Sequence, residues 1–367
     1  MDDAPTDGVA ERNWLPAPEQ VTFNITSRCN LRCQYCFGGM RARGTEASLG
    51  EAISVLDQLD SLGVEEVLLQ GGEVFCVPYM RKLLERASSY RFHLHVISNG
   101  TLISERLAQA LSGLKLSIGI SLDGLTPEVN RHRGAEALEK AVGAIHRLVS
   151  QRMITYVNCT VTRSNVSALP QLVSFCDSAG VHGLVLQQLH CSGRATAHFF
   201  AENTIGQADT EALESMLLVL KETYPRLRFV ESEICYFLGA RTRYNRVCDP
   251  GLEYLPMKLL RCAAGRRYCA IEPNLDVIPC VVLGSFPCGN LRQESFRAVW
   301  GTSPGLEFMR ELSESRVDRI PGCLECTYNP VCDGGCRADM LNYCDDWLAA
   351  HILCPFNAAN SQRQGDP

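Results

Sequence analysis

The chain has 367 residues, 46% of them hydrophobic, enough for a large single domain or two ordinary ones around a buried core. A formal net charge of −6 leaves no basic surplus for a phosphate backbone, which argues against a nucleic-acid partner. The acidic start, MDDAPTDGVAERNW, lacks the apolar core of a signal peptide, and no stretch nears the ~18 apolar residues of a membrane span, so a soluble, cytoplasmic protein is expected.

In chain order, VTFNIT alternates Val21, Phe23 and Ile25 with polar residues, the period of a strand, and feeds a cysteine-rich loop. Ser48 then reads as a helix cap. EEVLLQGG (65–72), HLHVISNG (93–100), KLSIGISLDG (115–124), ITYVNCTVT (154–162) and GLVLQQL (183–189) are further apolar runs ending near Gly, Asn or Asp. Helical segments fit between them, most clearly 135–152, where Leu138, Ala141, Val142, Ile145, Leu148 and Val149 share one face. About six βα repeats predict an α/β fold in which parallel strands and right-handed crossovers make an open or partial barrel. The active site then belongs in the loops at the strand C-termini. From about residue 246 the pattern turns to short elements, many turns and dense cysteine.

Cysteine is the compositional anomaly, with 19 in the chain. A disulfide scaffold predicts a short secreted chain, an export signal and an even count, so these read as metal or cluster ligands in a reducing compartment. The first group is TSRCNLRCQYCFGG, with Cys29, Cys33 and Cys36. A closed zinc site wants four ligands; no histidine precedes His93, and only Cys76 is a candidate from farther along. Three thiolates on a 4Fe–4S cluster leave one iron open to an exogenous ligand, which is a chemical reason to stop at three.

The run Cys29-Asn-Leu-Arg-Cys33-Gln-Tyr-Cys36 resembles the C-x3-C-x2-C loop of the radical S-adenosylmethionine (SAM) superfamily, with Tyr35 in the usual aromatic place. Gly71-Gly72-Glu73, Ser98-Asn99-Gly100 and Ser121-Leu-Asp123-Gly124 follow in that family's order after the second, third and fourth strands. Alone, a GGE or an SNG is more often a turn, and an isolated Arg133 a solvated charge; their ordered coincidence with the cysteine loop carries the reading. The resemblance implies that Cys29, Cys33 and Cys36 hold the cluster and that SAM's amino and carboxylate groups chelate its open iron. By position it assigns Glu73, Ser98, Asn99, Ser121 and Arg133 to the SAM pocket, Arg133 being suited to grip a carboxylate with two hydrogen bonds. Val74 stands where the family usually has proline.

Farther on, Cys323-x2-Cys326-x5-Cys332-x3-Cys336 is preceded by Cys262, Cys269 and Cys280 and followed by Cys344 and Cys354. Taken alone this also fits a zinc ribbon. It resembles the SPASM extension of radical SAM enzymes, which holds two auxiliary 4Fe–4S clusters. The resemblance assigns Cys262, Cys269, Cys280 and Cys336 to the first and Cys323, Cys326, Cys332 and Cys354 to the second, with Cys344 competing for the last place. Leu275 occupies the position, five residues before Cys280, where the family usually has glycine. The implied architecture is an N-terminal extension (1–20), a partial (β/α)6 TIM-like barrel (21–225), a bridge (226–261) and a SPASM domain (262–367). Three clusters predict about twelve irons, four for each. The other cysteines, 76, 159, 176, 191, 235, 248, 288 and 344, read as small buried hydrophobes. Cys235 or Cys248, if either faces the cavity, could donate a hydrogen atom and make the enzyme an epimerase.

The implied activity is reductive cleavage of SAM to a 5′-deoxyadenosyl radical, hydrogen abstraction and net oxidation through the auxiliary clusters, with a flavodoxin or ferredoxin as electron donor. Peptide or protein modification is the leading substrate class. Val281 follows the third auxiliary cysteine where anaerobic sulfatase maturases carry aspartate, which disfavours that activity. Some twenty residues precede the first strand, too few for a fused peptide-binding domain, so a leader peptide would need a separate adaptor or direct docking. The alternatives are a small-molecule enzyme such as a sugar or aminocyclitol dehydrogenase or epimerase, a tetrapyrrole side-chain enzyme, and a non-catalytic iron–sulfur or zinc protein.

Overall fold

The computed structural model describes residues 14–38, 44–232, 262–326 and 334–354. Strand and helix alternate through β1 (Gln20–Asn24), α1 (Leu49–Leu62), β2 (Glu66–Gln70), α2 (Met80–Ala87), β3 (His93–Ser98), α3 (Glu105–Leu111) and β4 (Ser117–Ser121). They continue through α4 (Ala135–Ser150), β5 (Ile154–Val161), α5 (Leu169–Ala179), β6 (Gly183–Gln188), α6 (Ala197–Asn203), α7 (Gln207–Thr223) and β7 (Arg228–Ser232). After the undescribed stretch come β8 (Tyr268–Ile271), β9 (Asp276–Ile278), β10 (Gly289–Asn290), α8 (Phe296–Thr302), α9 (Pro304–Arg319) and α10 (Arg337–Cys344).

One sheet runs in the order β10-β9-β8-β1-β2-β3-β4-β5-β6-β7. Strands β1 to β7 pair in parallel with their sequence neighbours. The six expected strands are all present, and β7 adds a seventh within the segment expected to be a bridge. Strand β8 pairs in parallel with β1, and β9 and β10 follow it antiparallel. The cysteine-rich part therefore extends the same sheet from its β1 edge. No described helix is long and apolar enough to cross a membrane.

Local sequence explains the elements. Ser48 and Glu51 form a reciprocal capping box on α1, and Gly63 closes it in the left-handed region. Ala52, Val55, Leu56 and Leu59 turn one helical face inward. They belong to the same main core as Val21, Phe23, Val67, Leu69, Leu94, Val96 and Ile118, all wholly buried. Each such large apolar side chain contributes about 1.5–3 kcal/mol relative to exposure. The opposite face of the strands carries polar side chains near β1. Gln70 Nε2 donates to Asn24 Oδ1 (3.1 Å), Asn24 Nδ2 to Glu272 Oε1 (2.8 Å) and the Tyr268 hydroxyl to Thr22 Oγ1 (3.0 Å), a ladder across β2, β1 and the β8 region. A second, smaller core gathers Ala264, Val282, Leu283, Met309, Leu312, Cys336 and Ala338.

Candidate active site

Strand β1 delivers the chain into the cysteine loop, where Cys29 is exposed and Cys33 and Cys36 are half-buried. Two glycines seat the end of β2 against it. Gly72 N donates to Thr26 O (2.7 Å) and Glu73 N to Arg28 O (2.8 Å). A Cβ on Gly71 would lie 2.4 Å from Thr26 O, and one on Gly72 2.2 Å from Arg28 O, so only glycine permits this approach. The loop after β6 clasps the other side, with Arg194 N donating to Cys36 O (3.0 Å). Although the residue is exposed, partial desolvation of its sulfur pushes the Cys29 thiol up to about 11; the Leu31 N–H opposes this, and Glu73, Cys33 and Cys36 add to it. Three thiols that sense one another on one loop fit the three-thiolate site of a 4Fe–4S cluster, whose iron would replace the protons.

Several expected SAM-pocket residues meet here. Glu73 is buried, and its carboxylate accepts from Ser98 Oγ (2.8 Å), Asn99 N (2.7 Å) and Phe75 N (3.2 Å). Burial raises its pKa while these three donors oppose the rise. Asn99 Nδ2 donates to Asn30 Oδ1 (3.0 Å) and lies 3.9 Å from Cys29 Sγ. Glu73, Ser98, Asn99 and Cys29 thus form one connected chain of polar contacts, from buried Glu73 and Ser98 out to exposed Cys29. Ser121 ends β4 and is half-buried.

Arg133 is engaged within the protein: its Nε and Nη2 donate to Asp123 Oδ2 and Oδ1 at 2.9 and 3.0 Å. Tyr35 donates its hydroxyl to the same Asp123, and the Arg133 guanidinium lies 5.3 Å from the centre of the Tyr35 ring. Thr160 N also donates to Asp123 Oδ1 (3.2 Å). Asp123 therefore ties the cysteine loop to β4 and β5. The SLDG motif contained it, but no local signal distinguished it from a turn residue.

Among the auxiliary cysteines, Cys262 and Cys280 pack against the small core that holds Cys336. Cys323, Cys326 and Cys354 form a second group: burial first raises the Cys323 pKa, and Cys354 and Cys326 add to this against Arg337. The Cys344 thiol donates to Met340 O (3.3 Å), and Cys344, like Cys336, acts on the thiol of Cys191. Cys332 lies outside the described residues, as do Cys235 and Cys248. Cys269 is not brought to Cys262, Cys280 and Cys336: it is fully buried in the main core.

A buried hub joins the two parts of the molecule. Asp339 on α10 accepts from Cys191 N (2.8 Å) and Gln188 Nε2 (3.4 Å) and pairs with His190 Nδ1 (3.0 Å) at the end of β6. Despite full burial, its pKa is lowered by His190 and His351. Neither residue was singled out from the sequence, because His190 and Asp339 are far apart in the chain. Beside the hub lies a cavity of about 510 Å³, bordered by Phe37 of the cysteine loop, Cys191 and Thr196 after β6, Glu272 just after β8, Asp276 at the start of β9, and Asn342.

The comparisons agree with this geometry. The Radical SAM superfamily model matches residues 23–176, and the iron–sulfur cluster-binding SPASM model matches residues 262–327. The mycofactocin maturase MftC of Mycobacterium ulcerans is 29% identical over 332 residues, covering 88% of this chain and 84% of that protein. The AdoMet-dependent heme synthase of Nitratidesulfovibrio vulgaris is 26% identical over 355 residues, 93% of each. The structure of Streptococcus suis SuiB bound to its precursor peptide SuiA superposes with a TM-score of 0.77 at 19% identity, covering 94% of this chain and 77% of that one, a likeness of fold. With its three-cysteine loop, its GGE segment and its cysteine-rich extension, the chain belongs to the radical SAM superfamily, in the branch that carries a SPASM domain.

Proposed function

We propose that this radical SAM enzyme is an oxidoreductase with three 4Fe–4S clusters that modifies a peptide substrate in the reducing cytoplasm. When bound, the first cluster supplies the electron that cleaves SAM to a 5′-deoxyadenosyl radical. The chain's own part is positional. Cys29, Cys33 and Cys36 would hold that cluster; Glu73, fixed by Ser98 and Asn99, accepts hydrogen bonds from the SAM amino group; Ser121 stands at the strand end where the ribose and carboxylate would lie. Arg133 acts indirectly, by bracing Tyr35 and Asp123. A flavodoxin or ferredoxin supplies the electron, and a leader peptide docks directly or through an adaptor.

The observation that carries the substrate class is the lining of the cavity next to Phe37. It includes the carboxylates of Glu272 and Asp276, and no Lys, Arg or His is among its described lining residues. Such a site suits a neutral or cationic side chain of a peptide and repels a substrate that carries several carboxylates. The mycofactocin maturase relatives and the peptide-bound SuiB neighbour are consistent with this. A tetrapyrrole substrate is the second reading, favoured by the full-length similarity to an AdoMet-dependent heme synthase. The test is 5′-deoxyadenosine formation by the anaerobically reconstituted protein with SAM and reductant. Stimulation by a peptide fraction of host cells supports the proposal; stimulation by porphyrins or small metabolites alone overturns it.

A further inference from the structure

We propose that Glu46 is a positioning residue for SAM binding, which fixes the three residues that lead into the cysteine loop and also seat Glu73, and that Arg292 of the SPASM part holds Glu46 in place. The inference rests on the SAM-pocket reading above. The Glu46 carboxylate collects donors from three consecutive residues just before Cys29. Its Oε1 accepts from Ser27 N and Ser27 Oγ, both at 2.8 Å, and Thr26 Oγ1 lies 3.0 Å from each carboxylate oxygen. Arg28 donates its Nε to Oε2 at 3.2 Å, and its Nη2 lies 3.1 Å from the same oxygen. Desolvation raises the Glu46 pKa, but these donors outweigh it and hold the carboxyl below its usual value. The backbone of the same stretch meets the GGE segment, where Gly72 N donates to Thr26 O and Glu73 N to Arg28 O. Glu46 thus grips these residues by their side chains while their carbonyls seat Glu73. Loosening that grip changes the spacing between Cys29 and Glu73, the two points that a SAM molecule on the cluster has to meet together. The short strap that carries Glu46 is itself tied to the SPASM part of the sheet. Ala47 N donates to Pro273 O (2.8 Å) in the β8–β9 turn. Arg292 donates Nη2 to Thr45 O (3.0 Å), Nη1 to Asn274 O (2.8 Å) and Nε to Glu51 Oε1 (2.7 Å), so one guanidinium joins the strap, the turn and α1.

The tests read binding and spectra of the reconstituted protein, not turnover. Glu46→Gln keeps the size of the side chain and one acceptor oxygen but turns an NH₂ toward groups that donate. After anaerobic reconstitution it is expected to hold about twelve irons like the wild type. By calorimetry it should bind SAM about tenfold more weakly. At saturating SAM the EPR spectrum of the reduced protein should differ from that of the wild type, a difference that reports how SAM sits on the cluster and not how much is bound. Wild-type affinity or a wild-type spectrum overturns the proposal. So does a loss of about four irons, which would make Glu46 a residue of loop folding only. Arg292→Met keeps an apolar stem and is expected to weaken SAM binding about threefold. The double variant should lose less than the product of the two single effects, because both act through one strap. Full affinity in Arg292→Met, or strictly multiplicative effects, overturns the part assigned to Arg292. A wild-type protein that takes up iron yet binds no SAM would defeat the SAM-pocket reading itself, which is a distinguishable failure.

Discussion

Arg133 and Asp123 face each other in a two-pronged ion pair, with Nε to Oδ2 at 2.9 Å, Nη2 to Oδ1 at 3.0 Å, and side chains only 10% and 3% exposed. Removing one partner leaves the other charge buried and alone, which costs about 3–5 kcal/mol. Asp123→Asn should lower the anaerobic urea midpoint by that equivalent, and adding Arg133→Met should recover much of the loss. A single variant as stable as the wild type would remove Asp123 as the tie between the loop and the sheet.

Glu73→Gln replaces one acceptor oxygen with an NH₂ facing Ser98 Oγ or Asn99 N, both of which donate to the carboxylate. Hydrogen bonds to a charged group are worth about 1.5–3 kcal/mol, so SAM affinity should fall about tenfold to a hundredfold. Calorimetry on the reconstituted protein reads this, with iron content expected to stay unchanged. Unaltered affinity would take Glu73 out of the SAM pocket.

Gly193 has φ +63°, and a Cβ there would lie 2.4 Å from both Cys36 O and Phe37 O. Gly193→Ala adds about 1–2 kcal/mol of left-handed strain and pushes on the cysteine loop. The expected outcome is incomplete loading of the first cluster, seen as iron below wild type and weakened SAM binding. Gly113→Ala, where a Cβ would meet nothing within 4 Å, is the matched control and should load fully.

Burial lowers the His95 pKa to about 4 from the ordinary 6.5, and neighbouring His93 adds to the shift. The unfolded chain binds a proton in this range and the folded chain does not. The His95 contribution is thus fully present above about pH 6.5 and is lost as pH falls toward about 4, by up to about 3 kcal/mol. Urea midpoints across this window should decline, and His95→Gln should flatten the slope. An identical slope in the variant would assign the decline to other groups.

Leu275 occupies the β8–β9 turn with φ +70° yet is 2% exposed. Leu275→Gly, which restores the residue the family usually has there, relieves about 1–2 kcal/mol of backbone strain. It also deletes a buried leucine side chain, worth about 2–5 kcal/mol. The net expectation is a less stable protein; a higher midpoint would mean that the turn, not the packing, sets the balance.

Much of the barrel was legible because its information is local. Period-two runs such as Val21-Thr-Phe-Asn-Ile announced strands, Ser48 with Glu51 announced a helix start, and the spacing of Cys29, Cys33 and Cys36 announced a three-thiolate loop. The polar lattice on the other face was not legible as a lattice. Asn24, Gln70 and Glu272 are polar residues like any others until β1, β2 and β8 lie side by side.

The sequence by itself determined the six barrel strands, the cysteine inventory and the family resemblance, since the motifs that carry them are made of residues close together in the chain. Only the tertiary structure decided that Arg133 is engaged by Asp123, that Asp339 meets His190 across 149 positions, and that Cys269 faces the core. The physical reason is the same in each case. Spacing along a chain says which residues are near one another, but which way a side chain points, and what charge it finds there, is fixed by strand register and by partners brought from distant segments.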